Sequence, residues 1–536
     1  MPSQPSRHSD RDRLLDLAGG YLEGSATLDD TVALESLLRT NPAGREEFVA
    51  FAMLHGQLSL VTATLGPGER PTGSLYARRT AAGRRSQRLE SGRVAAIAAA
   101  LGLAAACVAL ALSTPVGPGP QAAAAGSYDV RQLPLVTVAS LRDGAHPPRL
   151  LTPSTLRPVR ETALRSTGGA DVSVAKEAVF GMTGADSGTL YDGRVQARLA
   201  GPTANFAVTT ANLRIVDKGT AFTVERIDDD RVAVTVPDGE VEVQSRVRLP
   251  VCYWPFDEPA TTAGSTRAAD VVGGLTATLV GGARRVAGLV GSGALRFDNT
   301  ASAVAAVGGG TGDQVGTGLL ALTEGITIEA LIVSEWSGRF RDYDEIYRKE
   351  DGNSRVLLSF QHDGRNLGGY SEPEVPAGPC LSFGLHLAAH GYRELDMPLD
   401  GIDGRPALAE LTDGRPHHVC ATYDSFTGRK AVFIDGRLRF SYRYPVGTMI
   451  LSGGPVAATI GNHGHCEPFT GTIDELAVYD FALTPDEVTA HWRRVRAGDN
   501  YFAARPPAPG GARWQAVTRL VEGQRMTFNR ETGLPQ

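Results

Sequence analysis

The feature that most constrains this chain is an uncharged run of 19 residues, Val94 to Leu112, rich in alanine and leucine. A helix of that length spans roughly 28 Å, close to one bilayer core. A buried globular helix of this length would normally keep one polar face, and this run has none. Arg78, Arg79, Arg84, Arg85, Arg88 and Arg93 precede it, whereas Ser113 to Ser127 carry no charge. That asymmetry puts the N-terminal side in the cytoplasm and the C-terminal side across the membrane. As a secretory signal the run is too long and begins too late, although Ala122 to Ala125 are small enough for a cleavage site. The expectation is a single-pass protein of the inner (cytoplasmic) membrane. Its N-terminus is cytoplasmic and its C-terminal domains are periplasmic or otherwise extracytoplasmic.

The net charge of -6 over 536 residues hides a split. Residues 1–69 are acidic, 70–93 are strongly basic, and the remainder is mildly acidic. An acidic bulk argues against nucleic-acid binding, and the arginine run reads as a topology signal lying on anionic lipid headgroups. Cys107 sits in the apolar run and behaves as a small apolar residue. Cys252, Cys380, Cys420 and Cys466 all fall on the outer side, where disulfides persist. Four cysteines allow three pairings, and buried thiols remain the alternative to any of them. Cys380 with Cys466, both in loop-like surroundings, is the pairing proposed.

Composition and apolar period divide the chain into segments. Residues 1–62 read as a helical head of three short helices, with Ser9, Thr27 and Asn41 as caps and Pro42 at a first helical position. Residues 63–93 are an arginine-rich juxtamembrane linker, 94–112 the membrane helix, and 113–177 a spacer and the start of the outer region. From about Ala178 the apolar period changes to two, as in Val195, Ala197, Leu199 and again Val232, Val234, Val236. Residues 178–248 therefore read as an antiparallel β-domain made of hairpins, with Asp228–Arg231 and Pro237–Gly239 as turns. Residues 250–497 carry short alternating runs between Gly/Asp turns, which argues a two-sheet sandwich. Thr484-Pro-Asp-Glu487 caps a terminal helix. Residues 498–536, rich in Pro, Gly and Arg, read as a tail of unknown role. The fold class expected is thus multidomain and mainly β, with a small α-helical head and one transmembrane helix.

Two resemblances add to this reading. Leu14 to Gly24 and Leu34 to Phe48 resemble the cytoplasmic head of FecR-type transmembrane anti-sigma-like regulators. Leu213 to Val224 and Val232 to Val243 resemble that family's periplasmic domain, with Gly219 and Gly239 where the family turns tightly. The resemblance implies a head that binds an extracytoplasmic-function sigma factor and an outer domain that senses or relays. The zinc-binding variant of such a head is ruled out, because no cysteine precedes residue 107. Asp217, Asp238 and Glu240 then read as turn and surface residues. In the sandwich, Cys252-Tyr-Trp-Pro-Phe-Asp-Glu258, Gly293 to Asp298, Ile326 to Val333, His417 to Tyr423, Ala431 to Arg437 and Gly471 to Tyr479 resemble, in this order, a laminin-G-like (concanavalin A-like) jelly roll. The whole architecture resembles proteins of planctomycete-type bacteria.

The jelly-roll resemblance implies one calcium ion near the first and last strands. Asp257, Asp270 and Asp474 are the matching acidic positions, and carboxylate oxygens suit a hard cation. Beyond calcium no cofactor is expected. Glu394-Leu-Asp396 begins the carboxylate pattern of hydrolases on this fold. Met397-Pro-Leu-Asp400 does not finish it, and Pro398 speaks against a central strand. His463, His465 and Cys466 form an incomplete metal set. Alternation sends the rings of His417 and His418 to opposite faces. Trp254, Trp336, Tyr343, Tyr347 and Tyr370 are candidate stacking surfaces, with Asp342, Asp344 and Glu345 as candidate partners of sugar hydroxyls. The leading expectation is a non-catalytic membrane signalling protein: the sandwich binds a glycan or protein, and the FecR-like region relays to a sigma-binding head. The alternative is a cell-envelope adhesion or structural binding protein without a sigma-factor role. An envelope glycoside hydrolase ranks third.

Overall fold

In the computed structural model of this protein the described residues are Leu17, 127–130, 149–151 and 154–536, apart from 200–205, 220, 259–265, 301–302, 309, 363–368, 464–466 and 503–512. The chain divides into two compact units, Met1–Pro115 and Val116–Gln536. The second unit holds two β-sandwiches. The helical head, apart from Leu17, and the run at 94–112 lie outside the described residues. Among the described residues no helix is long and apolar enough to cross a membrane.

Period-two alternation builds a first sandwich. Thr162–Ser166 and Ala170–Val174 each bury every second residue. Leu164, Val172, Phe180, Phe206, Val208, Phe222, Val234 and Val243 meet in one core. One sheet runs in the order Arg149–Leu151, Ser127–Val130, Thr162–Ser166, Ala170–Val174, Arg194–Leu199, Ala221–Arg226, Arg231–Asp238, Arg525–Asn529. The other runs Ser154–Leu156, Val179–Gly184, Ser187–Asp192, Ala207–Thr210, Leu213–Asp217, Glu240–Arg246, Trp514–Val521. The strands therefore begin well before residue 178, inside the stretch read as a spacer.

Two further readings change. Asp228–Arg231 does close a hairpin: Asp228 accepts from the backbone N–H of Asp230 and of Arg231. Pro237–Gly239 does not, because Arg231–Asp238 and Glu240–Arg246 lie in different sheets. Gly239 (φ +82°) and Gly219 (φ +106°) occupy corners where the chain crosses between sheets, and a positive φ at each favours glycine. The second change concerns residues 498–536. Trp514–Val521 pairs antiparallel with Glu240–Arg246, and Arg525–Asn529 with Arg231–Asp238, adding one strand to each sheet. Leu520 and Phe528 are buried in the core. The second sandwich is thus an insertion between two neighbouring strands of the first.

That second sandwich also has two sheets. The first runs Arg284–Val286, Ala294–Asp298, Thr470–Tyr479, Gly325–Ser334, His417–Asp424, Arg429–Ile434, Arg437–Arg443, with Cys252–Trp254 on Thr470–Tyr479. The second runs Arg267–Ala268, Ala277–Val280, Val304–Val307, Thr459–Ile460, Tyr343–Asp351, Ser354–Gln361, Cys380–Leu387, Gly391–Pro398. Ile326, Ile328, Ile332, Leu358, Phe383 and Leu395 fill the space between them. The far side of the first sheet is covered by the helix Pro485–Arg496, through Leu331, Phe433, Val488 and Val495. Thr484 and Glu487 make a reciprocal capping box at its start.

The two sandwiches meet through a buried charge cluster. Arg246 reaches Glu324 at 3.4 Å and Asp480 at 3.0 Å, and its guanidinium lies 4.4 Å over the Trp514 ring. Thr189 also donates to Glu324. Beside it Val179, Tyr191, Phe426 and Met449 form a small apolar cluster.

Candidate functional site

Register along the second sheet of the inserted sandwich places polar side chains in rows on its outward face. Glu345 lies opposite Ser359, Ser359 opposite Ser382, and Ser382 opposite Asp396. In the next row Arg348 lies opposite Leu357, Leu357 opposite Gly384, and Gly384 opposite Glu394. Then come Glu350 opposite Arg355, and His386 opposite Tyr392. The intervening residues Val356, Leu358, Phe360, Leu381, Phe383, Leu385, Leu395 and Met397 point into the core. Gly384 leaves room for Tyr392: a Cβ there would stand 2.0 Å from the Tyr392 hydroxyl. That close approach lays Tyr392 across the face.

Gly391–Pro398 is the edge strand, in keeping with Pro398. A loop runs beside it: the Glu394 N–H donates to the Tyr370 carbonyl, and the Glu372 N–H to the Glu394 carbonyl, both at 2.8 Å. The loop presents Tyr370, 44% exposed, edge-on to Tyr392 with centroids 5.4 Å apart. Tyr392 donates to Glu394 at 2.9 Å, and the Arg355 guanidinium lies 5.0 Å over its ring.

The electrostatics divide the face in two. Arg348 is surrounded by carboxylates, bonded to Glu345, to Glu350 at 2.8 Å and to Glu467 at 3.3 Å. Arg355 also holds Glu350, at 3.0 Å. Burial, reinforced by Glu467 and opposed by Arg348, pushes Glu345 up to about 9. At the other end Glu394 is pushed up to about 7 by burial and then by Asp396. Burial likewise raises Asp396, opposed by the nearby hydroxyls of Ser382 and Ser371. Several buried atoms of this face reach no hydrogen-bond partner with acceptable geometry among the described residues: Ser382 Oγ, Asp396 Oδ1, Gln361 Nε2 and Glu345 Oε2. Buried polar atoms short of a well-formed hydrogen bond occur in both sandwiches; these four share one sheet face beside an exposed tyrosine.

Behind this face, from the opposite sheet, comes Lys430. It is fully buried, donates to the Arg393 carbonyl at 2.8 Å and lies 5.1 Å over the Phe383 ring. Burial lowers its amine to about 7, with Glu394 and Asp396 opposing. Between about pH 7 and the ordinary lysine value the unfolded chain holds a proton that the folded one lacks, so stability climbs with pH across that window. Lys430→Met is expected to stabilise the protein by about 1–4 kcal/mol at pH 6 and by less at pH 9, read from thermal melts at both values. A variant less stable than wild type at pH 6 would contradict this.

The structure gives the candidate calcium ligands other roles. Asp270 accepts from the N–H of Tyr253, Val272, Gly273 and Leu275 at 2.9–3.0 Å. Asp474 accepts from Leu289, Val290 and Glu475. Asp257 accepts from Ser292, Gly293 and the Asn500 amide. Among the described residues no three His, Cys, Asp or Glu side chains are gathered to hold a metal, so Asp257, Asp270 and Asp474 do not form one side-chain cluster. Cys380 is buried with its thiol on the Gln361 carbonyl at 3.5 Å, and Cys466, its candidate partner, lies outside the described residues, as does His465. Asp344 is buried on the N–H of Thr470 at 2.7 Å. Trp254, Trp336 and Tyr347 belong to the core, which leaves Tyr370 as the exposed aromatic of that set beside the polar rows.

A second buried constellation escaped the sequence reading. Glu329, fully buried under the helix Pro485–Arg496, accepts from Tyr479, from His418 Nε2 at 3.0 Å and from His491 Nδ1 at 2.9 Å. His417 turns the other way, to Asp435 and Asp413. The signal was there: Glu329 is the one charged residue in the apolar run Ile326–Val333.

The inserted domain is therefore a lectin-like jelly roll with a polar, partly unsatisfied sheet face. Residues 348–489 match the family described as the concanavalin A-like lectin/glucanases superfamily. Over 130 residues the chain is 34% identical to pentraxin-4 of Homo sapiens, covering 21% of this chain and 27% of that protein. Over 118 residues it is 27% identical to C-reactive protein of Homo sapiens, covering 21% of this chain and 48% of that protein. The chain thus spans between about a quarter and half the length of these relatives. Similar solved structures include domain 4 of an extracellular arabinanase from Geobacillus stearothermophilus in complex with arabinotriose (18% identity, TM-score 0.30, 45% of this chain and 96% of that one). Another is the heptameric SAP-like pentraxin from Limulus polyphemus (18% identity, TM-score 0.23, 38% and 82%).

Proposed function

We propose that this protein is a glycan-binding protein of the cell envelope, anchored by the apolar run at 94–112, and that the outward face around Ser382, Glu394 and Asp396 is its binding surface. The observation that carries the reading is the set of buried, incompletely bonded donors and acceptors on one face of a lectin-like sheet, beside an exposed tyrosine. Polyhydroxylated ligands supply hydroxyls to such atoms, and sugar rings stack on aromatic faces. The reading needs no bond chemistry. Pro398 and Leu399 stand where the hydrolase pattern would place its second glutamate. It also needs no relay: the sigma-factor role rests on the resemblance of Leu14–Gly24 and Leu34–Phe48, of which Leu17 alone is among the described residues, whereas the match over 348–489 favours a binding role.

The test is retention of the full-length protein on a glycan array, followed by titration with the best ligand. Tyr370→Ala is expected to weaken binding about 5–10-fold, the worth of one aromatic contact. Ser382→Val should cost a similar factor through a lost hydrogen bond. Retention of no glycan, or wild-type affinity in both variants, would overturn the assignment.

A further inference from the structure

Charge compensation on this face is uneven. Glu345, Glu350 and Glu467 share Arg348, and Glu372 has Arg393 at 3.3 Å. Among the described residues Glu394 and Asp396 have no ion-pair partner. Lys430 approaches from the core side, where its Nζ gives one N–H to the Arg393 carbonyl and its charge acts on both carboxylates without an ion-pair contact. The two carboxylates stand two positions apart on one strand, so both face the same way. Each is only 8% exposed, and Asp396 Oδ1 has no partner. The Ser382 hydroxyl lies beside Asp396 and the Gln361 amide beside Glu394, neither in a well-formed hydrogen bond. Tyr392 and Tyr370 stand at the open side.

We infer that the ligand of this face carries a free amino group, seated as an ammonium between Glu394 and Asp396, with Ser382 and Gln361 taking neighbouring hydroxyls. The inference rests on the glycan-binding reading and names its ligand class: an amino sugar that is not N-acetylated. An ammonium brings three N–H donors and a positive charge, which two carboxylates and an open acceptor can use together. A neutral hydroxyl brings one donor and leaves the second carboxylate uncompensated. A calcium ion asks for six to eight oxygens, more than two carboxylates and an amide provide.

The test compares two hexasaccharides with the same backbone, one of glucosamine and one of N-acetylglucosamine, titrated calorimetrically into the full-length protein. The glucosamine hexamer is expected to bind about tenfold tighter, the worth of one charge-assisted contact. Glu394→Gln and Asp396→Asn should each bring the ratio near one, whatever happens to absolute affinity, with circular dichroism confirming the fold. Equal affinities in the wild type, or a ratio unchanged in both variants, would overturn the inference. Calcium chloride titrated alone is the rival: binding heat that Asp396→Asn abolishes would overturn the ammonium in favour of a metal. Failure of both hexamers to bind would overturn it as well. Other glycans binding in the same assay would then show the glycan reading intact, and silence from all of them would remove both.

Discussion

Truncation before Arg513 is expected to unfold the first sandwich rather than trim an end. The removed strands close one edge of each sheet, and Leu520 and Phe528 sit in the core at 1% and 0% exposure. Burial of each such side chain stabilises by about 1.5–3 kcal/mol, and a domain has only about 5–15 kcal/mol in total. Losing both, with the ladder bonds to Arg231–Asp238 and Glu240–Arg246, takes most of that margin and exposes two open strand edges. In calorimetry the truncated protein should lose the transition of the first sandwich, and residues 127–246 should become protease-sensitive. Phe528→Ala alone should cost about 3–5 kcal/mol. A truncated protein with unchanged melting and protease resistance would show that the terminal strands are not structural.

Glu329 carries the second large effect. Burial alone would raise its carboxyl; His491, with His418, reverses this and brings it down to about 2. In turn Glu329 lifts His491 above its ordinary value against the effect of burial. The signs set a window. The depressed carboxyl contributes stability above the unfolded glutamate value, lost as pH falls from about 4.3 toward 2. The raised imidazole contributes stability below its unfolded value of about 6.5, lost as pH rises through its higher folded value. The dock of the helix Pro485–Arg496 should therefore be firmest between about pH 4.5 and 6.5. Glu329→Gln leaves His491 buried without its counter-charge and is expected to cost about 3–5 kcal/mol at pH 6. The loss should shrink at pH 9, where the imidazole is neutral. A cost independent of pH would show that the pair acts by packing alone.

Much of the inserted domain was legible because its strands are two-sided: Ile326, Ile328 and Ile332 alternate with residues that meet the helix. The capping box at Thr484 is local chemistry and reads directly. The two terminal strands were not legible for the opposite reason. Trp514–Val521 buries little besides Leu520, so it has almost no hydrophobic period, and its partner lies some 270 residues earlier. The site divides in the same way. Glu394 and Asp396 stand out as neighbours on one strand, whereas Ser359, Ser382 and Gln361 join them only through register across three strands. Asp270 has a local role that the resemblance does not describe. Its carboxylate serves four N–H groups of its own turn and first strand, a local use that Asp270-Val-Val-Gly-Gly274 already suggests.

The insertion also sets an order of events in time. The first sandwich is begun by residues 127–246, yet one sheet stays a strand short until residue 521 and the other until residue 529 has left the ribosome. At about 5–20 residues per second that wait is roughly 15–60 s, ample for the jelly roll to fold meanwhile. The domain encoded second is therefore finished first, and the one encoded first waits with open edges at Arg231–Asp238 and Glu240–Arg246. Any factor that shields the nascent chain has most to protect in that interval, on those two strands.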